Sequence, residues 1–193
     1  MIEDEKIIAA KNNYLKTYYN DSNAPLSMHN GWSSEDAQNL AYSAFLQLFD
    51  KGGNILDLGC GNGSLLKYII SNISLSLCPY GVDFLVKSIQ EARNIILPRF
   101  YSNFYVSNVD EYDPIEKRFG YVITSPDYTF ESDMKDYVKR CFGWIEPKGK
   151  LILYDYKGSN YFQDFIQTWN KLELGTIKII ETNLTIIVSY IKN

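Results

Sequence analysis

The segment best suited to chemistry is a glycine cluster at residues 59–63, Gly-Cys-Gly-Asn-Gly, which follows a short apolar run. Glycines let a backbone turn tightly and approach a ligand that any Cβ would obstruct. A helix predicted from Ser64 would aim its free N–H groups at that ligand. Asp57 lies two residues before the first glycine. Its carboxylate would repel a pyrophosphate and suit a ligand that carries an ammonium group beside a carboxylate.

A second acid follows the next apolar run along the chain. Asp83 lies 22 residues after Gly61 and directly follows Tyr80-Gly81-Val82. An acid about 20 residues beyond a glycine cluster can accept hydrogen bonds from both hydroxyls of a ribose. The alternative is that Asp83 caps the helix that follows it. The distance to the glycine cluster favours ribose binding.

Three other positions carry polar groups that either bind a ligand or have a purely structural role. Asn108 follows a predicted strand, where its side-chain carbonyl could accept from an amino group, or could simply stabilise a turn. Residues 124–128, Thr-Ser-Pro-Asp-Tyr, could grip a planar amine or form a turn without function. His29, the only histidine, is a candidate base or a hydrogen-bonded structural residue.

The elements that must position these residues alternate between strand and helix. The first predicted helix begins at the capping box Ser33-x-x-Asp36 and ends before Gly52. Further helices are predicted from 64 and over 84–96, 132–145 and 160–172, and strands over 54–58, 79–82, 100–106, 120–124, 150–154, 176–180 and 184–190. The alternation predicts a mostly parallel α/β sheet, and the last two strands predict an antiparallel hairpin. Ligands of such sheets bind outside the carboxyl ends of the strands, beside the first one.

On the glycine cluster with Asp57, and on Asp83, the sequence resembles the class I S-adenosylmethionine-dependent methyltransferases over about residues 50–190. The resemblance implies a Rossmann-like, doubly wound sheet of seven strands. It also implies a single domain over 1–193, with an N-terminal helical cap at 1–50 and a cofactor-binding core at 51–193. The sixth position of a dinucleotide fingerprint is Ser64 rather than glycine, which argues against a nicotinamide cofactor.

The resemblance also implies roles for individual residues. In the family the residue after the ribose-binding acid packs on adenine, and the N-terminal segment folds over the methionine end of the cofactor. The cofactor contacts so implied are Tyr19, Trp32, Asp57, Gly59, Cys60, Gly61, Asp83, Phe84, Asn108, Val109 and Ser125. The acceptor contacts so implied are Tyr18, His29 and Tyr128, with His29 as the candidate base. Methyl transfer needs no thiol, so the side chain of Cys60 is expected to be a small packed group.

The composition of the chain argues against several classes of partner and site. The chain has 193 residues, of which 46% are hydrophobic, and a net charge of -4. It lacks the basic stripe that nucleic-acid binding requires, so no nucleic-acid partner is expected. The start is acidic and no apolar run reaches the roughly 18 residues of a membrane span, so we expect a cytoplasmic protein without a membrane partner. Three scattered cysteines and one histidine argue against a disulfide framework and a zinc site.

Together these features predict an enzyme that transfers a methyl group from S-adenosylmethionine to a small molecule. One alternative is a module of the same fold that binds the cofactor without turnover, for example as a partner subunit. Others are an amino-directed methyltransferase, suggested by residues 124–128, and an aminopropyl transferase-like or nicotinamide-dependent enzyme. The sequence leaves the acceptor atom open.

Overall fold

The computed structural model describes residues 5–19, 24–114, 118–125, 134–156, 176–183 and 185–192. Within these ranges one sheet of seven strands forms the centre of the molecule. The strands are β1 (Gly53–Leu58), β2 (Leu77–Asp83), β3 (Phe104–Val106), β4 (Phe119–Thr124), β5 (Ile145–Tyr156), β6 (Thr176–Glu181) and β7 (Thr185–Ile191).

The sheet has the order β3-β2-β1-β4-β5-β7-β6. Strands β1 to β5 pair in parallel, whereas β7 pairs antiparallel with both β5 and β6. The order reverses between β1 and β4, which is the point where doubly wound sheets bind their ligands. The predicted fold class, a doubly wound sheet with a C-terminal antiparallel hairpin, is confirmed.

Helices cover both faces of the sheet. They are α1 (Glu5–Tyr18), α2 (Leu26–His29), α3 (Glu35–Ser43), α4 (Ser64–Asn72), α5 (Val86–Glu91) and α6 (Met134–Gly143). The helix predicted over 84–96 is α5 followed by a π-helical turn at Ala92–Ile96. The helix predicted over 160–172 lies outside the described residues.

Three local predictions are wrong at their boundaries. The first predicted helix ends at Ser43 rather than before Gly52, and a separate 3₁₀ helix, Leu46–Leu48, follows it. The N-cap of α3 is Ser34 rather than Ser33, because Ser34 has the extended backbone and its hydroxyl accepts from the Ala37 amide at 3.2 Å. The strand predicted over 100–106 begins only at residue 104. A 3₁₀ helix, Pro98–Asn103, precedes it, since proline fixes φ near the helical value and favours the first position of a helix.

The apolar core lies in two layers, one on each face of the sheet. Phe45 and Leu66 belong to the layer beneath α3 and α4, and Tyr137 and Cys141 belong to the layer beneath α6. All four side chains are buried. The two layers fix the carboxyl ends of the strands, and thus the loops that follow them, on a rigid base. Within the described residues, no helix is both long and apolar enough to traverse a bilayer.

Candidate functional site

A cavity of about 640 Å³ opens at the carboxyl ends of β1, β2 and β5, between the sheet and the N-terminal cap. Of the cap predicted at 1–50, the part that contains α1 and α2, residues 5–19 and 24–32, is called the cap from here on. Cavities that bind cofactors and drug-sized ligands have volumes of this order. Nine of the predicted site residues line it: Tyr18, Trp32, Asp57, Gly59, Cys60, Gly61, Asp83, Phe84 and Val109.

The glycine cluster forms the floor beside β1. The amides of Gly59 and Cys60 both donate to the carbonyl of Val82, at 2.8 and 3.0 Å, and so hold the loop against β2. Gly61 has a φ of 53°, and an added Cβ would collide with the side-chain oxygen of Asn30 in the cap. Only glycine permits both this backbone conformation and the close approach of the cap.

Asp83 supports the loop and lines the cavity at the same time. Its carboxylate accepts from the Gly61 amide at 3.0 Å and from the Leu85 amide at 2.8 Å. Each carboxylate oxygen offers two acceptor positions, so these bonds leave capacity for the hydroxyls of a ribose. The N-cap residue of α5 is Leu85, which has no side-chain cap bond, so Asp83 holds the start of that helix through the Leu85 amide without being its N-cap. Ribose binding by Asp83 stays a prediction.

Asp57 is the most unusual group in the cavity wall. The residue is 1% exposed, and its Oδ1 has no hydrogen-bond partner among the described residues. Burial, and secondarily the charge of Asp83, raises the pKa of the Asp57 carboxyl well above its ordinary value. A buried carboxylate without a partner is unfavourable. A cationic ligand group in the cavity would relieve that penalty.

The thiol of Cys60 lies next to these carboxylates. Burial, followed by the charges of Asp83 and Asp57, raises the pKa of the Cys60 thiol well above its ordinary value. Its Sγ packs so closely against Gly81 that a Cβ added to that glycine would lie only 2.7 Å from the sulfur. The side chain is thus a protonated, packed group, and its surroundings disfavour the thiolate that a nucleophile requires.

His29 and Tyr19 do not line the cavity. The two rings stack at 4.4 Å between centroids, and His29 Nδ1 lies 2.9 Å from the Glu91 carboxylate. The Tyr19 hydroxyl lies 2.9 Å from the Ser88 hydroxyl, and burial raises the pKa of the Tyr19 phenol. Both side chains hold the cap against α5, on the side away from the cavity. The prediction that His29 is the base therefore has no geometric support.

Of the remaining predicted residues, two are described and do not line the cavity. Asn108 forms a turn in which its side-chain oxygen accepts from the Asp110 amide at 3.2 Å, and its neighbour Val109 is the residue that lines the cavity. Ser125 is buried at the end of β4 and does not line the cavity. Tyr128 lies outside the described residues.

Several lining residues were missed by the sequence interpretation. They are Asn13, Tyr14, Thr17, Asn30, Gly31, Tyr42, Leu65, Leu85 and Tyr154. Tyr14, Thr17 and Tyr18 share one face of α1, at helical spacing. Tyr154 lies near the carboxyl end of β5, a position where doubly wound sheets place ligand-contacting residues. Both signals were present in the sequence, and the N-terminal segment was expected to fold over the cofactor. Which of its side chains face the cavity follows only from the packing of the cap.

The cap is held on the glycine loop by two asparagines. The amide nitrogen of the Asn30 side chain donates to Asn62 Oδ1 at 2.5 Å, and the Asn62 backbone amide donates to Asn30 Oδ1 at 3.2 Å. Asn62 also donates to the carbonyl of Leu26 at 3.1 Å. Because Asn62 is fully buried, these bonds connect α2 firmly to the floor of the cavity.

Comparisons with known proteins identify the family and the fold of the chain. A family model described as "Methyltransferase domain" matches residues 49–184. An uncharacterized protein of Methanocaldococcus jannaschii, MJ0906, is 28% identical over 129 residues, which are 64% of this chain and 35% of that protein. The chain therefore spans about a third of the length of this curated relative.

Among solved structures, three are similar in fold. A protein of Methanococcus maripaludis (mmp1179), assigned as an S-adenosyl-L-methionine-dependent methyltransferase, matches with a TM-score of 0.65 and 15% identity, over 100% of this chain and 97% of its own. The plantazolicin methyltransferase BpumL, in complex with a triazolic desmethylPZN analog and SAH, matches at 0.64 and 16%, over 98% and 99%. The ribosomal protein L11 methylase of Lactobacillus delbrueckii subsp. bulgaricus matches at 0.61 and 14%, over 84% and 81%.

Proposed function

Because the chain belongs to the family of methyltransferase domains, we propose that it transfers the methyl group of S-adenosylmethionine to a small-molecule acceptor bound in the cavity beneath the cap. The observation that carries this proposal is the buried carboxylate of Asp57, which lines the cavity with one oxygen unpartnered among the described residues. The amino group of the cofactor's methionine end supplies the positive charge that this carboxylate needs.

The other lining residues fit the remaining parts of the cofactor. Asp83 has acceptor capacity for the ribose hydroxyls, and its position at the end of β2 is the one that binds ribose in related sheets. Phe84 and Val109 both line the cavity and offer apolar surface to adenine. The glycine loop between Asp57 and Asp83 lets the methionine part of the cofactor pass close to the protein backbone.

Aromatic side chains from the cap, from α3 and from β5 support a small acceptor. Tyr14, Tyr18, Trp32, Tyr42 and Tyr154 line the cavity. Aromatic walls of this kind enclose a flat or apolar molecule and exclude water. The net charge of -4 argues against a nucleic-acid acceptor. Similar folds include both BpumL, in complex with a desmethylPZN analog, and a methylase of ribosomal protein L11, so the fold by itself does not decide the acceptor.

The sulfonium of the cofactor supplies an already activated methyl group. The contribution of this chain is then to hold the cofactor at both ends, through Asp57 and Asp83, and to align the acceptor in line with the methyl group. Aromatic faces stabilise a nearby positive charge by cation–π attraction. The cap excludes water, which prevents competing hydrolysis. His29 takes no part in proton transfer in this scheme, because it contacts Glu91 behind the cavity wall.

A binding experiment tests the cofactor assignment. Calorimetry should show that S-adenosylmethionine and its demethylated product, S-adenosylhomocysteine, bind at least 100-fold more tightly than NAD. Asp83→Asn should weaken both ligands by roughly tenfold or more, as expected for a lost charge-assisted hydrogen bond. Asp50→Asn is a matched control, since Asp50 pairs with Lys150 at 2.7 Å and does not line the cavity. Equal affinity for NAD, or equal effects of the two variants, would contradict the assignment.

A further inference from the structure

A buried carboxylate, that of Glu91, lies behind the cavity wall at the end of α5. Glu91 is 9% exposed and does not line the cavity. Its Oε1 lies 2.9 Å from His29 Nδ1, and its Oε2 accepts from the Tyr19 hydroxyl and from the Asn62 side-chain amide, both at 3.4 Å. A carboxylate only accepts hydrogen bonds, so one acceptor group serves three converging donors.

The three donors come from three different parts of the chain. Tyr19 follows α1, His29 ends α2, and Asn62 belongs to the glycine loop. Helix α5 holds Tyr19 at further points, because Ser88 lies 2.9 Å from its hydroxyl and the Lys87 ammonium lies 4.5 Å from its ring centroid. The cap and the cofactor loop are thus both attached to the same helix, and Glu91 is the group that they share.

Each donor is the immediate neighbour of a cavity residue. Tyr18 precedes Tyr19, Asn30 follows His29, and Gly61 precedes Asn62, and all three of these neighbours line the cavity. The position of the three donors therefore sets the position of three segments of the wall. Within the described residues His29 Nε2 has no hydrogen-bond partner, so the cluster is joined through His29 Nδ1, Tyr19 and Asn62. These buried hydrogen bonds favour one arrangement of the elements that they join.

We propose that Glu91 is a positioning residue for the cofactor site: it holds the cap against the glycine loop in the arrangement that binds S-adenosylmethionine. This inference rests on the proposed function, because it assumes that the cavity beneath the cap is the cofactor site. Glu91 itself touches neither cofactor nor acceptor. It acts through Tyr19, His29 and Asn62, so its loss should affect ligand affinity before it affects the core of the sheet.

The test uses the full chain and S-adenosylhomocysteine as the probe. Glu91→Gln keeps the size of the side chain but places an amide donor where only donors converge. It should weaken binding about tenfold, the effect expected of one lost charge-assisted hydrogen bond. Tyr19→Phe, which removes one hydroxyl from the same cluster, should weaken binding about threefold. Glu146→Gln is the matched control, since Glu146 binds Lys51 at 2.7 Å away from the cavity.

Hydrogen exchange separates positioning from a general loss of stability. Glu91→Gln should lower protection in residues 24–32 at least tenfold and leave β4 and β5 as protected as in the wild type. Calorimetry is done well below the unfolding temperature of each variant, so that only folded protein is titrated. If Glu91→Gln does not fold, Tyr19→Phe decides by the same two measurements.

The outcomes are distinct. Wild-type affinity in Glu91→Gln and Tyr19→Phe, or a uniform loss of protection across cap and sheet with unchanged affinity of the folded protein, would overturn the role of Glu91. A wild-type protein that fails to bind S-adenosylhomocysteine would instead overturn the proposed function. Weakened binding together with local loss of protection in the cap supports the positioning role.

Discussion

Asp57→Asn should make the ligand-free protein more stable and should weaken its binding of the cofactor. In the wild type, one oxygen of this buried carboxylate has no hydrogen-bond partner among the described residues, and burial raises its pKa. An unsatisfied buried polar group costs about 1–3 kcal/mol, and a charged one costs more. Asparagine remains a buried polar side chain, so only the additional cost of the charge is relieved. The free energy of unfolding of the ligand-free protein should therefore rise by about 1 kcal/mol or more.

The expected shift is measurable by thermal unfolding. For a domain of this size each kcal/mol changes the unfolding temperature by about 2–4 °C. Because the pKa of Asp57 is raised on folding, ionisation disfavours the folded state. The penalty is present at neutral pH, declines as pH falls through the raised folded pKa, and is absent below the ordinary value of 3.8. The advantage of Asp57→Asn over the wild type should therefore shrink as the solution is acidified.

Binding should change in the opposite direction. Loss of a charge-assisted hydrogen bond to the amino group of the ligand should lower the affinity for S-adenosylhomocysteine roughly 10- to 150-fold. The matched ligand is 5′-methylthioadenosine, which keeps the adenine, ribose and sulfur but lacks the amino-acid end. Its affinity should be unchanged in Asp57→Asn and reduced in Asp83→Asn. Asp57→Asn that weakens both ligands equally, or destabilises the ligand-free protein, would refute the assignment of Asp57 to the amino group.

Two further predictions concern the floor of the cavity. Gly61→Ala should weaken S-adenosylhomocysteine about tenfold or more, since the added Cβ collides with Asn30 at a φ that disfavours side chains. Gly143→Ala, where a Cβ meets nothing within 4 Å, is the control, and equal calorimetric affinity of the two variants would contradict the close packing of the cap. Iodoacetamide should label Cys78, which is partly exposed, before buried Cys60 and Cys141. Mass spectrometry that finds Cys60 labelled first would refute its assignment as a packed thiol.

The sequence was sufficient for the parts of the site that depend on local structure. Asp57 is the penultimate residue of β1 and Asp83 is the last residue of β2. The glycines between them determine a tight loop, and the pairing of the two strands brings the two acids to one edge of the sheet. The alternation of strands with helices predicted the parallel sheet, and the two last apolar runs predicted its antiparallel end. These features require only short-range periodicity and the general rules of α/β topology.

The existence of an N-terminal cap was predicted, but the contacts that hold it in place could not be predicted in the same way. The partners of His29 and Tyr19 lie on α5, 62 and 69 residues further along the chain, and nothing near either residue in the sequence indicates them. His29 was therefore predicted in the cavity, whereas docking of the cap places it against Glu91. The strand predicted over 100–106 was too long because the 3₁₀ helix that begins at Pro98 continues to Asn103. The side chain of Asn103 then bonds to the carbonyl of Pro79 on β2 at 3.0 Å, a partner that the local sequence does not indicate.

The most direct test of the proposed function follows the methyl group itself. The protein is incubated with S-adenosylmethionine labelled in the methyl group and with a cell extract separated into small-molecule, RNA and protein fractions. We predict that label is transferred to the small-molecule fraction, and that Asp83→Asn reduces the transfer while Asp50→Asn does not. Transfer of label to the RNA or protein fraction would contradict a small-molecule acceptor, and cofactor binding without transfer to any fraction would contradict catalysis.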